Sequence, residues 1–379
     1  AGAVTAQSLA AMVTAPLIGP LLDRYGARPV MLVGAISSGV GLLLLMRIQL
    51  FWHFWLLYAI VGALGFNELG RLSGPVAVAK WFIRRRGRAM AFATSGSTFG
   101  GWVMAPIIAV LIVNVGWRYT WGILGATLLV LMVPPVLLFM RRQPEDIGLR
   151  PDGDDPLVPS EGIRKTSYPV QGQEELVWTL REAVQTRTLW FLILAINLVG
   201  LSAGALLFFQ VPYLVEQGMS TQNASYVFTA TWVGFTFSRV VWGFSVERIP
   251  VRICLAGAFL ARSLGPLILV VVPYPANIVP FVLVYGVFGG SFGLLQAVAF
   301  ADYYGRRFMG SIQGTMRPLL TIPGTVGPVA LAAIHDATGN FDLAFLLSAA
   351  LGFVAVGVVL LATPPTQRPS AIGMSRLGF

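Results

Sequence analysis

The chain has 379 residues, 56% of them hydrophobic and only 11% charged, with a formal net charge of +10. Soluble domains carry about 25% charged residues, so this composition excludes a soluble enzyme or binding module and calls for an all-α polytopic membrane protein. The basic excess has to be assigned by side of membrane, and no nucleic-acid partner is expected.

The sequence opens at Ala1 inside an apolar run with no basic region ahead of it, so no signal peptide is read. A spanning helix needs about 20 mostly apolar residues. Such runs lie at 3–22, 29–48, 52–79, 89–113, 118–140, 188–212, 222–245, 252–272, 276–300, 308–334 and 342–363, which makes eleven. Of 26 lysines and arginines, 20 fall on one side of these runs and only Arg47 and Arg118 on the other. That side is predicted to be cytoplasmic, with the C-terminus inside.

Between the fifth and sixth runs lies the one long polar stretch, with Asp152, Gly153, Asp154, Asp155, Pro156, Pro159 and Gly162. Its composition does not pack a core. The end of this stretch, from Thr179 to Thr186, has the pattern of a short amphipathic helix lying on the membrane surface. The predicted organisation is an N-terminal bundle (1–140), a cytoplasmic linker (141–187), a C-terminal six-helix bundle (188–363) and a cytoplasmic tail (364–379).

Two hinges repeat. Gly19-Pro-Leu-Leu-Asp-Arg-Tyr-Gly-Ala-Arg joins the first and second runs, and Gly243-Phe-Ser-Val-Glu-Arg-Ile-Pro-Val-Arg joins the seventh and eighth. Charged residues here force the chain out of the bilayer, and Gly26 permits a tight reversal. Lys80-Trp-Phe-Ile-Arg-Arg-Arg-Gly-Arg is echoed by Asp302-Tyr-Tyr-Gly-Arg-Arg-Phe-Met-Gly. The hinges are offset by 224 residues (243 minus 19) and the aromatic pairs by 222 (303 minus 81). A preserved offset means duplication, as in secondary transporters.

Cys254 is the single cysteine, which excludes an internal disulfide and a cysteine zinc cluster. His53 and His335 stand near helix ends without metal-ligand spacing, so neither metal nor cofactor is expected. No nucleophile–base constellation or phosphate loop is present, so an enzyme is not expected.

Four arginines remain inside the apolar runs: Arg71, Arg239, Arg262 and Arg317. Each costs about 3 kcal/mol or more at mid-bilayer and needs a partner or a wet cavity. Glu68 and Arg71 are three residues apart on one helical face and read either as an internal ion pair or as a proton site at Glu68. Arg317 shares a polar stripe with Gln313, Thr321 and Gly324. Arg262 is expected to pack or snorkel.

These residues resemble the major facilitator superfamily, whose hinge motif Gly-x-x-x-Asp-Arg-x-Gly-x-Arg is matched by Gly19, Asp23, Arg24, Gly26 and Arg28. Arg142-Gln-Pro-Glu-Asp-Ile-Gly-Leu-Arg-Pro-Asp-Gly, Trp81-Phe82, Arg86-Gly87 and Ala301-Asp-Tyr-Tyr-Gly-Arg-Arg look like bacterial relatives of monocarboxylate transporters and oxalate/formate antiporters. The resemblance implies two pseudo-symmetric six-helix bundles around a central cavity. The sequence begins at what corresponds to the second helix, so the first is expected to be missing from it. It implies a cytoplasmic gate of Gly19, Asp23, Arg24, Gly26, Arg28, Arg86, Glu247 and Arg248, with Arg86 or Arg88 as the charge partner of Asp23. It implies substrate contact by Arg239, which stands one turn before Gly243, and by Arg317. It departs at Glu247, where aspartate is usual, at Pro250, where glycine is common, and at Phe235, where carboxylate transporters place an acid.

The expected function is alternating-access transport of a small organic anion, a mono- or dicarboxylate, by a monomer in a plasma or bacterial inner membrane, with H+ as a candidate coupling ion. The alternatives are a transporter of drugs or sugars and a solute sensor that moves nothing.

Overall fold

The computed structural model describes residues 2–65, 72–153 and 177–365, and all regular structure among them is helical. The first group comprises α1 (Gly2–Tyr25), α2 (Ala27–Leu45), α3 (Phe51–Leu64), α4 (Gly74–Trp81) and α5 (Arg86–Phe139). The linker carries two short 3-10 turns, Pro144–Ile147 and Pro151–Gly153, then α6 (Leu180–Gln185). The later group comprises α7 (Arg187–Glu216), α8 (Thr221–Ser245), α9 (Val251–Val271), α10 (Ile278–Phe281) continuing into a π turn (Val282–Phe288), α11 (Phe292–Tyr304), α12 (Met309–Thr338) and α13 (Asp342–Leu361).

A helix of 54 residues would be about 81 Å long, far more than a bilayer is thick. α5 therefore breaks at Gly116, whose φ of 78° and ψ of 161° leave the helical region. Gly87 lies against Gly243 at the end that carries both hinges, while Gly122 faces Met46 at the other end and Gly125 faces Gly39. The chain thus runs away from the hinge end up to Gly116 and back after it, so α5 supplies the two predicted spans 89–113 and 118–140. The span predicted over 52–79 corresponds to α3 and α4, with 66–71 outside the described residues. The remaining predicted spans coincide with helices to within a few residues.

Lipid removes the hydrophobic drive between helices, so close packing through small residues takes over. The two groups meet chiefly through α1 against α12 and α5 against α8. A Cβ on Gly310 would stand 2.6 Å from Gly19 O, and one on Gly243 would stand 2.7 Å from Ala91 Cβ and 3.0 Å from Gly87 O. One buried apolar cluster at the hinge end joins both groups, including Ile18, Leu22 and Met90 with Leu295, Ile312 and Met316. A second cluster, around Tyr213, Phe281 and Phe345, draws only on the later group.

The α6 helix is held by a capping box, in which Thr179 and Glu182 exchange hydrogen bonds. It is fastened to α11 rather than lying free. Trp178 N donates to Tyr304 O at 3.4 Å, and the Thr186 and Tyr304 hydroxyls lie 2.8 Å apart.

Candidate functional site

At the hinge end, Gly26 has a φ of 81° and sits buried between α1 and α2. The second hinge turns without a left-handed residue: Pro250, with φ −51°, stands directly before α9. Both turns deliver an acid to the other group.

Asp23, on the last turn of α1, accepts hydrogen bonds from Gly310 N (2.9 Å), Ser311 N (2.6 Å) and Ser311 Oγ (2.6 Å). α12 has Phe308 at its N-cap and no capping side chain of its own. A cap normally comes from the residue before the helix and satisfies the second or third amide. Here it comes from the other group, and the helix dipole favours the negative charge. Glu247 repeats the arrangement in reverse. α5 has Arg85 at its N-cap with no side-chain bond. Glu247 accepts from Arg88 N at 3.0 Å and from Arg88 Nε at 2.8 Å. Each hinge acid caps, in trans, a helix of the opposite group.

The expectation that Asp23 pairs with Arg86 or Arg88 is corrected. Arg86 is buried and meets Asp302 of α11 at 2.7 Å, and Arg88 is taken by Glu247. Asp23 stands over the start of α12, where two amides point at it. Arg24 lies over the Tyr25 ring at 5.3 Å, Arg28 is half-buried, and Arg248 is exposed. Three acids that the sequence reading did not assign to the gate also bind here. Asp302 holds Arg86. Glu145 of the linker meets Arg306 at 2.5 Å. Asp152, at φ 62°, accepts from the amides of Ile83, Arg84 and Arg85 at 2.9–3.1 Å.

Deeper in the bundle, Arg239 of α8 reaches across to α5, where its Nη1 donates to Thr94 O and, at 3.4 Å, to Ser97 Oγ. Its Nε and Nη2 edge makes no hydrogen bond among the described residues. On α5 just beyond, no described atom outside the glycine's own stretch of helix lies within 4 Å of where a Cβ on Gly96 or Gly100 would sit, and the same holds at Gly324 on α12. Arg317 is half-buried on α12, with its Nε enclosed by protein. On the same stripe Gln313 is 7% exposed, and its amide nitrogen is enclosed without a partner among the described residues. Glu68 and Arg71 lie outside the described residues. Arg262 packs within the later group, donating to Gly289 O at 2.8 Å with Phe235, Tyr285 and Phe292 within 6 Å of its guanidinium. Phe235, in the place of the usual acid, therefore serves that packing. Among the described residues no group of three or more histidine, cysteine or acidic side chains could hold a metal ion.

The family model described as Major Facilitator Superfamily matches residues 2–328 and 192–376. Human monocarboxylate transporter 12 is 26% identical over 348 residues, covering 89% of this chain and 67% of that protein. Mouse monocarboxylate transporter 11 is 26% identical over 385 residues, covering 97% and 79%. Among solved structures, the E. coli fucose:proton symporter superposes with a TM-score of 0.74 at 14% identity over 96% of this chain and 90% of that one. The human organic anion transporter MFSD10 gives 0.69 at 16% identity over 94% and 83%.

Proposed function

The chain belongs to the Major Facilitator Superfamily of transporters, and on that premise we propose that it is a secondary active transporter of small organic anions, mono- or dicarboxylates, working by alternating access. It is an integral multi-pass membrane protein and not an enzyme.

The observation that carries the substrate class is Arg239. Its Nη1 is anchored across the groups while its Nε and Nη2 edge is unspent, and that edge is the one a carboxylate engages with two parallel hydrogen bonds. Arg317, on α12 of the same later group, supplies a second cation at the other contact between the groups, α12 on α1. Relatives named monocarboxylate transporters agree with this class. The fucose symporter among the solved structures supports the fold alone, since its identity is 14%.

In this reading the hinge end is cytoplasmic and closed, with Asp23 and Glu247 as its two bolts. Closing one end while the other is free is what a rocking transporter needs. Glu68 is either the ion-pair partner of Arg71 or a proton carrier.

Uptake of labelled lactate and oxalate into vesicles holding the purified protein tests the proposal. Arg239→Ala is expected to cut the initial rate about 30-fold, the equivalent of roughly 2 kcal/mol for a charge-assisted contact. Arg239→Lys keeps the charge but not the fork and should fall between. Equal uptake by Arg239→Ala and the parent would end the substrate assignment.

A further inference from the structure

Away from Arg239, a cleft of about 610 Å³ opens at the hinge end between the two groups. Its basic lining is Arg24 of α1, Lys80 of α4, Arg142 of the linker, and Arg306 and Arg307 after α11. Two acids also line it, leaving three positive charges in excess. Both acids are already engaged: Asp23 by the start of α12, and Glu145 by Arg306.

Lys80 is only 5% exposed; among the described residues its ammonium makes one long hydrogen bond, 3.4 Å to Leu22 O, and the charge of the nearby Asp23 carboxylate acts on it. Asp23 is already shared with the start of α12, so it offsets the cost of this buried ammonium only in part and leaves donors for a further anion. Arg142 and Arg307 are exposed and have no carboxylate partner among the described residues. Lys80 at the floor and two arginines at the rim form a socket for a compact multivalent anion. Pro20 is part of the wall, and its neighbours Leu17 and Leu21 are 67% and 45% exposed on α1, so the rim borders the lipid-facing surface.

We propose that this cleft binds a phosphate-bearing anion, whose oxygens are met by Lys80, Arg142 and Arg307. The anion touches the first group, the linker and the later group at once. It therefore holds the hinge end shut, adding to the Asp23 and Glu247 contacts. The same chemistry is offered by free phosphate and by the headgroup of phosphatidic acid, a phosphomonoester at the membrane surface. The site is separate from Arg239, and the inference stands whether or not the transported solute is a carboxylate.

The test uses the full chain in nanodiscs and reads the thermal unfolding midpoint. One arm adds inorganic phosphate to discs of phosphatidylcholine, against chloride at matched ionic strength. The other replaces part of the phosphatidylcholine with phosphatidic acid, without phosphate. The double variant Arg142→Gln with Arg307→Gln runs beside the parent; both residues are exposed, so the fold is not at risk. A rise of about 3 °C in the parent, absent in the variant, is expected. A rise with phosphate identifies a free-anion site, and a rise only with phosphatidic acid identifies a lipid-headgroup site. No rise in either arm, or an equal rise in the variant, overturns the proposal. Transport is not measured, so a failure here leaves the substrate reading untouched.

Discussion

A chain carrying Asp23→Ala together with Glu247→Ala is expected to stand open at the hinge end and to lose transport. Asp23 supplies three hydrogen bonds from a charged acceptor to a helix that has no cap of its own. Losing them costs about 4 kcal/mol of the closed arrangement, near a thousandfold in the closed-to-open ratio. Glu247 contributes less. The Arg88 side chain is 44% exposed, so solvent screens that pair, and about 1 kcal/mol remains for the amide. Asp23→Ala alone should therefore produce most of the opening and Glu247→Ala little. Spin labels on Tyr25→Cys and Ile249→Cys, exposed on the two hinges, report the separation. Cys254 is fully buried and out of a label's reach. The label distance should lengthen in the order parent, Glu247→Ala, Asp23→Ala, double variant. Identical distance distributions in parent and double variant would remove the bolts from the mechanism.

The hinge acids could be read from the sequence because two physical signals coincide there. A charged cluster between apolar runs marks where the chain leaves the bilayer, and the 224-residue offset (247 minus 23) ties Asp23 to Glu247. Their partners were hard to read, because Gly310 N, Ser311 N and Arg88 N are backbone groups that leave no mark in residue identity, and the side chains of Ser311 and Arg88 only join them. Reasoning from side chains alone led to Arg86 or Arg88, whose counter-charges are Asp302, 216 residues from Arg86, and Glu247. Asp152 was hidden for the same reason, since among the described residues it binds three backbone amides. The helices were legible because about 20 apolar residues in a row have few other uses. The break at Gly116 falls in the gap predicted between 113 and 118, where Arg118 marks the side opposite the hinges. For Arg239 the sequence predicted depth but not direction. Its reach to Thr94 depends on α8 packing on α5, which in turn depends on Gly87 and Gly243.

Gly310→Val is expected to open the same end by a different route. A Cβ there would stand 2.6 Å from Gly19 O and 2.7 Å from Asp23 Oδ1, so it meets fixed backbone and the capping carboxylate together. No flexible side-chain end can yield in their place, and overpacking of this kind costs about 3 kcal/mol, near a hundredfold in the closed-to-open ratio. Gly357→Ala on α13, where nothing lies within 4 Å, is the matched control and should leave transport unchanged. The combination Gly310→Val with Asp23→Ala separates contact from charge. If both act on the one contact between α1 and α12, the double variant opens no further than the stronger single change, because that contact can be lost only once. If the distances or transport losses add in full, Asp23 closes the end through some other partner, and capping of α12 is not the bolt.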